Sequence, residues 1–153
     1  KPKIMLAARG RYQSEYAVDL AKRRGGTLFA IFVRSIRVMD LRPGQAPRIE
    51  TDEAAQEALG TTAMLAREAG VNFVPIYVTS QEIPDEILDH TVTYGCDTLI
   101  MGKSRRSVFS RKLEGDVVSE VSRSLPEGIT MITRASDTPH AMMPPGMGTG
   151  ITK

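Results

Sequence analysis

Five short apolar runs, each set off from the next by a stretch of a different period, limit this chain to one kind of architecture. The runs are residues 3–8 (KIMLAA), 27–33 (TLFAIFV), 71–78 (VNFVPIYV), 98–101 (TLIM) and 129–133 (ITMIT). Between them lie segments whose apolar residues recur at helical spacing. The first carries Tyr16, Ala17, Leu20 and Ala21 behind Ser14 as its cap and stops at Gly25-Gly26. The second follows Thr51 as its cap, has Asp52 and Glu53 in its first turn, presents Ala55, Leu59, Ala63, Ala66 and Ala69, and ends at Gly70. The third opens at Pro84, turns Ile87, Leu88 and Val92 inward and closes at Gly95. The fourth runs from about Asp116 to Leu125, where Pro126 stops it. Strand and helix in alternation predict an α/β fold, a doubly wound parallel sheet reached through right-handed crossovers. Pro75 lies inside the third strand and cannot donate to a ladder, so that strand belongs at an edge. The predicted strand order is 3-2-1-4-5.

A length of 153 residues suits one domain with one core. The expected division is a domain over 1–134 and a flexible tail over 135–153, which is rich in methionine, proline and glycine and has no period. The connection over residues 34–50 is expected to be mobile. One cysteine, Cys96, excludes an internal disulfide, and its place before a buried-type strand predicts inert packing. No apolar run approaches the ~18 residues of a membrane span. The chain begins at Lys1, which is read as the start of a processed or excised domain.

The net charge is only +2, yet cations crowd the stretch after the fourth strand: Lys103, Arg105, Arg106, Arg111 and Lys112. Gly102 precedes this loop, and Gly115 opens the helix that follows. Strand, glycine, cationic loop, glycine and helix N-terminus make a phosphate cradle, since a helix N-terminus offers unpaired N–H groups and the positive end of a dipole. The alternatives for the loop are a solvated segment and a contact with an anionic membrane surface or partner. In parallel sheets ligands sit beyond the carboxyl ends of the strands, which brings the loops after strands one and four together. An adenine would then lie near Ala7, Arg9 and Val33. His90 and His140 have neither a serine or cysteine partner nearby nor metal-ligand spacing, so no catalytic residue and no metal site is assigned. One aromatic in the loop, Phe109, gives little basis for nucleic-acid binding.

The strand and helix spacing, the stretch IPDEILDHTVTYGCDTLIMG, and Gly102 followed by Gly115 and a valine-rich helix together resemble the universal stress protein family. The resemblance covers residues 3 to about 134. It implies an adenine-nucleotide-binding fold, with ATP, AMP or another adenine nucleotide as ligand and magnesium left open. The implied nucleotide and phosphate site is Ala7, Arg9, Val33, Met101, Gly102, Lys103, Arg105, Arg106, Gly115, Asp116 and Val117. Three of these positions depart from the nucleotide-binding members: Arg9 replaces an aspartate, Arg105 a glycine, and Asp116 a serine or threonine. Asp116 also has a plain reading as a carboxylate favoured by the helix dipole. The resemblance implies a homodimer through the last strand, at Ile129, Thr130, Met131, Ile132 and Thr133, whose open edge invites pairing.

The run SRRSVFSRKLEGDVVSEVSRSLPEGI resembles the stress-protein-type domains attached to amino acid transporters. The expected function is a cytoplasmic regulatory domain, free or at the inner face of the membrane, that binds an adenine nucleotide or related phosphate ligand and modulates a transporter or a stress response. It is expected not to be an enzyme. The alternative is an interaction module that dimerises without nucleotide.

Overall fold

The computed structural model describes residues 1–9, 11–36, 44, 46–103 and 117–135, with the backbone alone at 12 and 103. The elements run β1 (Lys3–Ala7), α1 (Arg11–Arg24), β2 (Thr27–Ser35), a 3-10 turn (Ile49–Thr51), α2 (Glu53–Ala69), β3 (Asn72–Ser80), α3 (Ile83–Thr93), β4 (Thr98–Lys103), α4 (helical residues 117–124) and β5 (Thr130–Ala135). The strands form one five-stranded sheet in the order β3-β2-β1-β4-β5. All four pairings are parallel. The predicted fold class and strand order are therefore what the chain adopts, and Pro75 stands on an edge strand.

Alternation along each strand divides the core in two. Ile4, Leu6, Leu28 and Ala30 face α1 and α2, while Met5, Ala7, Phe29 and Ile31 face α3 and α4. Leu6, Ile100 and Leu99 are wholly buried. Each such side chain contributes about 1.5–3 kcal/mol relative to leaving it exposed. Small residues bring α2 close to the sheet, with Ala55, Ala58 and Ala66 buried.

The helix ends follow elementary chemistry with three departures from expectation. Ser14 does not cap α1. The helix begins at Arg11, and Ser14 lies buried inside it, its hydroxyl 2.6 Å from that of Thr62 on α2. Asp52, not Thr51, caps α2: its carboxylate accepts from the Ala55 N–H at 3.1 Å, while Thr51 closes the 3-10 turn. On α3, Val92 points outward at 52% exposure and Thr91 is buried in its place, its hydroxyl donating to the Ile87 carbonyl at 2.7 Å. A one-residue step turns a helix by about 100°, so an apolar stripe read one residue out of phase exposes its last member. Gly70 closes α2 in the left-handed region, at φ 74°.

β2 continues past Val33 to Ser35, so Arg34 belongs to the sheet rather than to the long connection. β5 likewise runs to Ala135, one residue into the expected tail, because Lys103 extends β4 and pairs with it. The remainder of the tail, from residue 136, lies outside the described residues. Among the described residues no helix is long and apolar enough to cross a membrane.

Candidate functional site

A cleft of about 430 Å³ opens beyond the carboxyl ends of the strands. Ala7 ends β1, Val33 lies near the end of β2, and Met101 and Gly102 lie near the end of β4. All four line the cleft together with Arg9 and Val117. Parallel strands put their carboxyl ends on one side, and the step from β1 to β4 separates the neighbouring loops, so a hollow forms there. The structure thus gathers Ala7, Arg9, Val33, Met101, Gly102 and Val117 around one space. The backbone of Lys103 is in β4, in register with Ala135. Arg105, Arg106, Gly115 and Asp116 lie outside the described residues, as does the rest of the basic loop.

The cleft has walls that the sequence reading missed. Ile83 and Ile87 of α3 form one side, an i, i+4 pair of which only Ile87 was read as facing inward. Ala54 brings the first turn of α2 to the rim, and Arg34 extends from β2. The position of Arg34 is set by Asp52. Its Nε donates to Asp52 Oδ2 and its Nη2 to Oδ1, both at 2.7 Å. The Tyr77 hydroxyl donates to Oδ2 at 2.8 Å. With the Ala55 N–H on Oδ1, each carboxylate oxygen accepts two bonds. Planar guanidinium and carboxylate match as a fork, which fixes orientation as well as charge. The guanidinium also sits 5.1 Å from the centre of the Phe32 ring, and Phe32 is stacked on Tyr77.

The electrostatics follow from these bonds. The hydrogen bonds from Arg34 hold the Asp52 carboxyl well below the usual carboxylate range, against burial, with help from Tyr77 and the Ala55 N–H. Burial, then the bond to Asp52, raises the Tyr77 phenol. The Asp52 side chain is 6% exposed and that of Arg34 36%, so the carboxylate is tucked behind a cation that faces outward.

At the opposite end of the sheet Asp97 ties β4 to its neighbours. It accepts from Thr98 Oγ1 at 2.6 Å and from the Lys3 N–H at 3.3 Å, and Arg24 approaches it at 3.3 Å. Burial raises the Asp97 carboxyl, but the bonds from Thr98 and Lys3 together with the charge and hydrogen bond of Arg24 outweigh it and hold it low. Cys96 is buried beside Leu99 and Val121, and burial pushes its thiol up to about 11, so it packs as a small apolar group. His90 lies along α3 with Nδ1 2.8 Å from the Glu86 carbonyl oxygen and its ring against Tyr94. Among the described residues no three His, Cys, Asp or Glu side chains come together as metal ligands.

No curated protein matches the chain by sequence. Its fold is that of solved universal stress proteins. One in complex with cAMP aligns with a TM-score of 0.67 at 15% identity, over 89% of this chain and 98% of its own. One from Archaeoglobus fulgidus aligns at 0.63 and 17% identity, over 87% and 93%. The structure of an Archaeoglobus fulgidus universal stress protein in complex with dAMP aligns at 0.60 and 17%, over 86% and 95%. At the level of sequence, the pattern of the Universal stress protein family matches residues 10–132.

Proposed function

The chain belongs to the universal stress protein family, and on that premise we propose that it is a regulatory domain that binds an adenine nucleotide or related phosphate ligand in the cleft at the carboxyl ends of β1, β2 and β4. The observation that carries this reading is the convergence of Ala7, Val33, Met101, Gly102 and Val117 on one cleft. Two structural neighbours are complexes with dAMP and cAMP, which adds weight. In this reading the base lies against the apolar wall near Val33, and the phosphate reaches toward Gly102 and the segment that follows. The role is recognition rather than catalysis, and magnesium is not required by it.

The assembly we propose is a homodimer through β5. Among the described residues that strand pairs only with β4, and Thr130 and Thr133 are exposed along it. Ile129 and Met131 lean on the α3–α4 side of the core and Ile132 on the α1–α2 side, so they support the edge more than they present it. The regulated target is a membrane transporter or a stress response, with the domain on the cytoplasmic side. A second reading, a dimerising module without nucleotide, is favoured by one observation: Arg9, where nucleotide-binding relatives carry aspartate, lines the cleft.

Thermal denaturation of the purified chain with AMP, ATP and cyclic mono- and dinucleotides, with and without magnesium, separates the two. Ligand at a hundredfold excess over Kd raises Tm by roughly 5–10 °C. No rise with any nucleotide at millimolar concentration overturns the nucleotide reading, and sedimentation then decides whether the dimerising module stands.

A further inference from the structure

The polar lining of the cleft has one sign. Arg9 and Arg34 both border it, Ser35 adds a hydroxyl, and no carboxylate is among the described lining residues. Ala54 brings the N-terminal turn of the 17-residue α2 to the same end. The negative partner of Arg34 does not cancel this from the side of the cleft. Asp52 is buried behind the guanidinium and is occupied by four donors. Nε and Nη2 are bonded to Asp52, Tyr77 also bears on the guanidinium, and 36% of the Arg34 side chain stays exposed. Phe32 lies against the guanidinium, and the fork prevents it from swinging away. The exposed part of the guanidinium is thus held in one orientation at the border of the cleft.

We propose that the β1–β2 end of the cleft is a second anion subsite with Arg34 as its oriented donor, so that the preferred ligand is a nucleotide bearing phosphate at two separated positions. This rests on the nucleotide reading above and sharpens it. One phosphate lies on the Gly102 side and the other reaches Arg34, because an arginine edge that cannot reorient is best satisfied by an anionic oxygen.

Calorimetric titration of the full chain with AMP, adenosine 3′,5′-bisphosphate and cyclic diadenylate, at matched ionic strength, tests this. At least one of the two-phosphate ligands is expected to bind about tenfold or more tightly than AMP. Arg34→Gln is expected to bring that ligand to within about threefold of AMP. AMP binding as tightly as both two-phosphate ligands overturns the second subsite while leaving the nucleotide reading in place, as does a preference that survives Arg34→Gln. Binding of none of the three overturns the second subsite, and the nucleotide reading falls with it when ATP, titrated in the same way, also fails to bind. Should Arg34→Gln fail to fold, Arg34→Lys, which keeps the charge and loses the fork, decides: the preference is expected to fall at least about threefold, and an unchanged preference overturns the assignment.

Discussion

Arg34 and Asp52 are joined by two hydrogen bonds of 2.7 Å across 18 residues of sequence. The pair fastens the end of a central strand to the first turn of α2. It also closes one corner of the cleft, so one contact serves both the helix cap and the site.

Asp52→Ala is therefore expected to cost about 2–4 kcal/mol. It removes an N-cap, worth about 1 kcal/mol, and leaves Arg34 and Tyr77 without their acceptor. Urea denaturation measures this, and a loss below about 1 kcal/mol would show that the fork contributes nothing beyond the cap.

The same carboxylate makes stability depend on pH in one direction. Its ordinary value is 3.8, and the folded protein holds it lower. Between the two values the unfolded chain binds the proton and the native chain does not, so folding becomes more favourable as pH rises. The contribution is complete above the ordinary value and drains away as pH falls through it toward the native one. The stability difference between the native protein and Asp52→Asn should be present at pH 6 and should shrink as pH is lowered below about 4. Asp97 shifts the same way but is common to both proteins, so it cancels in the difference.

The outward face of α3 gives a paired test. Val92 is largely exposed and Ile87 is buried. Val92→Glu should change stability by less than about 0.5 kcal/mol, whereas Ile87→Ala should cost about 2–4 kcal/mol. Equal losses in guanidinium denaturation would mean that the helix is rotated from the position described.

Gly26 is needed for closeness. A Cβ there would stand 2.4 Å from the Pro2 carbonyl oxygen, a backbone atom that cannot step aside as a flexible side chain can. The Thr27 N–H donates to that same oxygen at 3.0 Å, at the start of β2. Gly26→Ala should cost about 1–3 kcal/mol, read as a fall in Tm, and a Tm equal to that of the native chain would refute it.

What the sequence determined by itself was the layout: which segments are strands and helices, the parallel sheet, and the end at which the cleft opens. The strands, the helices and the edge place of β3 follow from periodicity, Pro75 and glycine punctuation, all local properties of the chain, while the full strand order accords with the family resemblance. It also placed Ala7, Val33, Met101 and Gly102 at one end of the sheet, because strand ends are local too, and the family resemblance added Val117. It did not disclose Arg34 with Asp52 and Tyr77, which stand on β2, at the cap of α2 and on β3. Nor did it separate Asp52 from Thr51 as cap, or Thr91 from Val92 on the inner face of α3. Both members of each pair satisfy the local rule, and only the packed arrangement chooses between them. A hydrogen bond between residues far apart in sequence leaves no period to read. It exists because the β2–α2–β3 crossover returns the chain beside its start, where a buried carboxylate must find donors.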